Sequence, residues 1–156
     1  MAKATLYIIQ GFIASGKTTF SKKLANEKNA VHLNPDEIVT KMYDKDYYME
    51  NWNICFDNAV SSMWDMAKQY LIKNKDVILD MGFWKREDRE YARSIAKSTN
   101  AKYIHYYLYV PDEVLKERII QTRPDEWVKL HLENFEKNKA NFEVPKDEDV
   151  VVIHNY

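Results

Sequence analysis

Thr5-Leu6-Tyr7-Ile8-Ile9-Gln10-Gly11-Phe12-Ile13-Ala14-Ser15-Gly16-Lys17-Thr18-Thr19 decides how the rest of this chain is read. Residues 11–18 satisfy G-x-x-x-x-G-K-[ST], the spacing of a phosphate-binding loop, and they use two of the three glycines in the chain. The setting matches the motif. Residues 5–9 are β-branched and apolar, as a buried parallel strand requires, and Thr18 to Lys28 can form the helix that must follow.

Such a loop turns backbone N–H groups inward at a helix N-terminus, so a polyanion meets fixed donors and the positive end of the helix dipole. Gly11 and Gly16 allow close backbone approach, and Ala14 and Ser15 complete the cradle. Lys17 is expected to reach the β- and γ-phosphates, the Thr18 hydroxyl to ligate Mg²⁺, and Thr19 to touch the α-phosphate. The chain is therefore expected to bind a nucleoside triphosphate.

Composition narrows the classes. The 156 residues are 46% hydrophobic, enough for one domain with a real core. Net charge is -1, which lacks the basic excess of a protein built mainly to grip nucleic acid. Cys55 is the single cysteine, so no internal disulfide or multi-cysteine metal site is expected. No run approaches a membrane span, and Met1-Ala2-Lys3 carries no signal-peptide pattern, so a cytoplasmic location is expected.

Along the chain, strands are expected at about 4–10, 31–33, 77–79, 103–110 and 150–153, alternating with helices. Asn34-Pro35-Asp36-Glu37 reads as a helix start, with Asn as cap, Pro in the first turn and two acids against the dipole. Tyr43 to Trp52 reads as an irregular, acidic and aromatic stretch. Phe56, Val60, Met63, Ala67 and Tyr70/Leu71 mark a long amphipathic helix after it. A charged helix at 86–98 is expected to bury Tyr91, Ala92, Ile95 and Ala96. Thr122-Arg123-Pro124-Asp125 interrupts one helix and restarts another that runs to about Asn141. The alternation predicts a three-layer α/β sandwich with a parallel sheet covered on both faces and its ligands at the carboxyl ends of the strands.

Two acids lie at those ends. Asp80 follows Val77-Ile78-Leu79, where two roles fit it: holding the water shell of Mg²⁺, or orienting an acceptor. Asp36 is a candidate to face the acceptor and take its proton. Arg118 and Arg123 flank the helix break, so residues 118–128 are a candidate lid, with an arginine neutralising charge on a transferred phosphoryl group.

With these residues in place, the chain resembles the small P-loop kinases that include polynucleotide kinases, zeta toxins and chloramphenicol phosphotransferase. The likeness rests on residues 8–19, Asn34-Pro35-Asp36-Glu37, Val77-Ile78-Leu79-Asp80, the 89–96 helix, and Arg118 with Arg123. Phe142-Glu143-Val144-Pro145 also looks like the Phe-Glu-x-Pro turn near the end of many such chains. The resemblance implies one P-loop kinase domain with sheet order 2-3-1-4-5, ATP with Mg²⁺, Asp36 as the base and Arg123 as the lid arginine. Tyr43 to Trp52 and Met81-Gly82-Phe83-Trp84 match no substrate signature.

A GTPase switch is disfavoured, because Asn74-Lys75-Asp76 has the wrong spacing for base reading and Asp80-Met81-Gly82 misses the Asp-x-x-Gly sensor. Three readings remain: a kinase acting on a small hydroxylated molecule or nucleoside, a kinase of nucleic-acid 5′ ends, and an ATP-binding module without transfer. Near-neutral charge favours the first, as does the chance of ring stacking on Tyr47, Tyr48, Trp52 or Trp84. The stripe Arg86, Arg89, Arg93 and Lys97 is what speaks for nucleic acid.

Overall fold

A computed structural model describes residues 2–156. In chain order its elements are β1 (Thr5–Gly11), α1 (Lys17–Lys28), β2 (Val31–Leu33), α2 (Pro35–Met42), α3 (Lys45–Glu50), α4 (Trp52–Ile72) and β3 (Val77–Gly82). They continue with α5 (Arg86–Ser98), β4 (Lys102–Tyr109), α6 (Asp112–Thr122), α7 (Asp125–Glu133), α8 (Phe135–Asn141) and β5 (Val151–His154). The five strands form one parallel sheet of order β2-β3-β1-β4-β5, the order that the family resemblance implies.

β1 is buried along its whole length because it lies at the centre of this order. Its side chains alternate between faces, as strand geometry requires. Leu6 and Ile8 join the core built with α4 and α5, while Tyr7 and Ile9 join the one built with Leu24 of α1. Coverage thins toward the last strand, where Val151 and Val152 of β5 are each 46% exposed. No helix among the described residues is long and apolar enough to cross a membrane.

Four local expectations need correction. The stretch 43–52 is not wholly irregular: Lys45–Glu50 forms the short helix α3, which buries no residue and so carries no apolar periodicity to reveal it. The buried stripe of α4 is Cys55, Ala59, Met63, Ala67 and Leu71, whereas Phe56 and Val60 are only half-buried. The helix after the 123–124 break pauses at Asn134, giving α7 and α8 in place of one helix.

The fourth correction is on α5, where Tyr91 is 42% exposed and Arg89 is buried instead. Arg89 donates from Nε and Nη2 to the two carboxylate oxygens of Glu148 at 2.9 and 2.8 Å, and from Nη1 to the Phe83 carbonyl at 3.0 Å. The bidentate pair satisfies both charges inside the protein. It pulls the Glu148 carboxyl down to about 2, chiefly through the Arg89 hydrogen bonds.

The same region anchors the segment after α8. Glu143 donates its N–H to the Trp84 carbonyl and accepts from the Arg86 N–H, and its own carbonyl accepts from Gln10 Nε2 at 3.0 Å. Gln10 Oε1 accepts from the buried His105 Nε2 at 2.7 Å. Phe142 packs edge-on against Phe12 and Trp84.

Candidate functional site

The phosphate loop connects β1 to α1, and its geometry follows from its residue types. A Cβ on Gly11 would collide with the Ser15 hydroxyl, so only glycine lets the loop close on itself. Gly16 has φ 90°, which favours glycine, and an added Cβ would lie 2.6 Å from Asn155 Nδ2. α1 then starts without a side-chain cap and without an acid in its first turn. Its leading N–H groups are left for another acceptor.

Asp80 ends up beneath the loop because β1 and β3 pair in parallel with Ile9 level with Asp80. The register then shifts, so that Gln10 pairs with Gly82 and Met81 is the extra residue. Asp80 is 2% exposed. Its Oδ2 accepts from Thr18 Oγ1 at 3.2 Å, His32 Nε2 at 3.0 Å and Asn34 Nδ2 at 3.1 Å. Burial would raise this carboxyl, but the hydrogen bonds from His32 and Asn34 and the charge of Lys17 outweigh it and hold the group below its ordinary value. Asp80 is an anion here.

Asn34 does two jobs. Its Oδ1 caps α2 by accepting from the Glu37 N–H at 3.1 Å, while its Nδ2 serves Asp80. The cap was legible in the sequence; the bond to Asp80 was not. His32 and Asn155 were also missed. Asn155 Nδ2 donates to the Ser15 carbonyl at 2.7 Å, and Asn155's own carbonyl accepts from Arg118 Nη2.

Two cavities flank the loop. The first, about 430 Å³, lies over Ala14, Gly16 and Thr19 and is closed by Arg118, Thr122 and Asn155. The second, about 550 Å³, is bounded by Asp36, Asp80, Trp52, Phe56, Met81 and Trp84. Lys17, Thr18 and Arg123 line both. Of the candidates for phosphate, metal and proton-transfer roles, then, all but Gly11 and Ser15 border one cavity or both; Ser15 is buried beneath the loop, where Gly11 makes room for it. Arg118 is already engaged, donating to the Ala14 carbonyl at 3.3 Å as well as to Asn155. Tyr47 and Tyr48 do not line either cavity; Tyr47 stacks on Tyr43 and Tyr48 packs against Trp52.

The charges at the junction influence one another. The Lys17 ammonium is lowered by desolvation, with Asp80 and Asp36 opposing the shift and Arg123 adding to it. Asp36 is open to water at the rim. The surrounding walls still strip part of its hydration and raise its carboxyl; Lys17 opposes this, and Asp80 and Glu37 reinforce it. One carboxylate is thus held ionised and its neighbour is pushed toward binding a proton.

The donor set suits a hard divalent cation. Asp80 Oδ1 is buried with no hydrogen-bond partner among the described residues, and the Thr18 hydroxyl is bonded to the other oxygen of the same carboxylate. No cluster of three or more His, Cys, Asp or Glu that could cage a metal is found among the described residues. A site of one hydroxyl and one carboxylate matches Mg²⁺, which keeps several waters and takes other ligands from phosphates.

Solved structures share this fold at low identity. The gluconokinase of Sinorhizobium meliloti 1021 superposes with a TM-score of 0.62 at 16% identity, over 98% of this chain and 83% of that one. A sugar kinase from Janibacter sp. HTCC2649 gives 0.62 at 17%, over 97% and 85%. The APS kinase of Mycobacterium tuberculosis, in complex with AMPPNP and APS, gives 0.66 at 12%, over 97% and 90%. No curated protein matches the sequence significantly. A family model described as an AAA domain matches residues 6–145, from β1 to the turn after α8, and the chain belongs to that family.

Proposed function

We propose that this protein is a single-domain kinase that transfers the γ-phosphate of ATP to a hydroxyl of a small molecule. The observation that carries the proposal is the meeting of two cavities at Lys17, Thr18 and Arg123, with Asp36 in the second cavity only. A triphosphate laid along the loop in the first cavity ends at that junction, facing an acceptor in the second. Solved kinases with the same fold support the reading.

Loop N–H groups and Lys17 hold the phosphates, and Thr18 and Asp80 hold Mg²⁺, which neutralises phosphate charge when bound. Asp36 takes the proton of the acceptor hydroxyl as its oxygen bonds to the γ-phosphorus. The bond from that phosphorus to the β,γ-bridging oxygen breaks, and ADP leaves with the electron pair. Arg123 stabilises the charge on the phosphoryl group in flight from the break between α6 and α7; of the 118–128 lid, the part beyond the buried Ile119 is the part free to close.

Nucleic acid is the weaker acceptor. The arginine stripe proposed for it is broken, since Arg89 is spent internally on Glu148 and Arg86 bonds Glu90 and the Lys146 carbonyl. The test is transfer of labelled γ-phosphate from ATP·Mg²⁺ to nucleosides, sugars, antibiotics and 5′-hydroxyl oligonucleotides. Labelled small-molecule product is expected. ATP binding with no labelled product from any acceptor would reduce the protein to a nucleotide-binding module.

A further inference from the structure

The walls of the second cavity describe what it accepts. Trp52 and Phe56 come from the first turns of α4 and stack on each other at 6.2 Å, and Trp84 comes from the loop between β3 and α5. Met81 and Ile13 extend this apolar side, opposite polar walls that include Asn34, Asp36 and Arg123. A volume of about 550 Å³ suits a molecule of nucleoside size.

Its charges are equally specific. The cations on this cavity are Lys17 and Arg123, and both also line the triphosphate cavity. The basic residues just beyond Trp84 are engaged elsewhere: Lys85 pairs with Glu143 at 3.8 Å, Arg86 with Glu90, and Arg89 with Glu148. Two acids, Asp36 and Asp80, face the cavity. A phosphate or carboxylate on the acceptor would meet negative charge and compete with the triphosphate for Lys17 and Arg123.

A polyol fares no better. The Asn34 amide is committed at both ends, to the Glu37 N–H and to Asp80, and the Thr18 hydroxyl donates to Asp80 as well. That leaves Asp36, with Lys17 and Arg123 shared with the triphosphate, to bond several hydroxyls, and each buried hydroxyl without a partner is costly.

Resting on the kinase reading, we infer that the acceptor is an uncharged molecule that carries its hydroxyl beside a flat ring system, the class that includes nucleosides. The ring lies against the aromatic wall and the hydroxyl points at Asp36. The phosphoryl transfer and its proton balance are those already described.

Calorimetric titration of the AMPPNP·Mg²⁺ complex with adenosine, thymidine, pyridoxine, adenosine 3′-monophosphate, gluconate and sorbitol tests this directly. At least one of the three uncharged ring compounds is expected to bind about tenfold or more tightly than the other three probes. Trp84 stacks on Phe12 at 5.1 Å, so the 39% exposed Trp52 is the safer position to change. Trp52→Ala should weaken ring-compound binding by roughly 5- to 100-fold, the scale of one lost stacking contact, with AMPPNP affinity unchanged and Trp52→Phe restoring most of the loss.

Equal or tighter binding of the monophosphate, gluconate or sorbitol overturns the inference, as does failure of all three ring compounds to bind. Labelled transfer to the same probes separates the two claims. Ring compounds that bind but are never phosphorylated, in a protein that phosphorylates nothing, defeat the kinase reading and leave the binding preference standing. Phosphorylation of gluconate or sorbitol in preference to ring compounds does the reverse.

Discussion

The two cavities are built in opposite ways. Much of the first comes from one short run, residues 14–19, and its donors are backbone groups and a lysine at fixed spacing. The second draws Ile13 from the loop, Asp36 from α2, Trp52 from α4, Met81 from β3 and Trp84 from the next connection. Phosphates are the same on every nucleoside triphosphate, so a contiguous motif can encode their binding. An acceptor has its own shape, and side chains brought together only by folding must match it.

This contrast can be broken at its most sensitive point by Asp36→Asn, which keeps the shape of the side chain but cannot take a proton. Acceptor phosphorylation should fall about 10²–10⁴-fold while ATP binding stays near normal. Steady-state transfer and calorimetry on the same preparation check both halves. Near-normal transfer by a folded variant would leave Asp36 as a helix-start charge and turn attention to Asp80.

Lys17→Ala probes the shared wall and should damage both sides. Transfer should drop roughly 10²–10³-fold, as when one fixed charge-stabilising donor is removed, and ATP affinity should weaken with it. Circular dichroism controls for folding. A variant that transfers at the wild-type rate would mean that the phosphates lie elsewhere.

Arg123→Ala sharpens the comparison, because Arg123 lines both cavities, whereas the Arg118 guanidinium is already bonded to the Ala14 and Asn155 carbonyls. Loss of a charge-assisted contact made in the transition state should lower kcat about 10- to 100-fold, with a smaller change in ATP Kd. If Kd rises as much as kcat falls, Arg123 is a ground-state binding residue.

The smallest effect concerns the scaffold behind the cavities. Burial lowers the His105 imidazole to about 4 from an ordinary 6.5, and Arg89 lowers the Glu148 carboxyl to about 2 from 4.5. Both folded-state values lie below the unfolded ones, so the unfolded chain binds protons first on acidification. The His105 contribution is full above pH 6.5 and is lost as pH falls to 4; that of Glu148 is full above 4.5 and is lost toward 2. Denaturant unfolding should show a loss on the order of 1–3 kcal/mol across the upper window, and His105→Asn should flatten that window alone. A profile that is flat from pH 6.5 to 4 in the wild type would contradict this.

What the sequence discloses follows the same division. Strand β1, the glycine loop and the start of α2 are set by neighbouring residues, through β-branching, glycine spacing and an Asn-Pro cap, so they can be read directly. Arg89 could not, because the partner that makes its burial tolerable is 59 positions away. Three donors converge on Asp80 from α1, β2 and the cap of α2, and only the parallel register brings them together. Asn155 reaches Ser15 across 140 positions, with no local signal to announce it.

Asn34-Pro35 has a consequence for how this protein ages. Asparagine deamidates when the next residue's backbone nitrogen attacks the side-chain amide and forms a succinimide. The Pro35 nitrogen carries no proton, which blocks that route at Asn34. Conversion of Asn34 to Asp would replace the Nδ2 donor to Asp80 with an oxygen acceptor and set two carboxylates against each other beneath the phosphate loop. The proline that starts α2 thereby also makes durable the amide that serves Asp80.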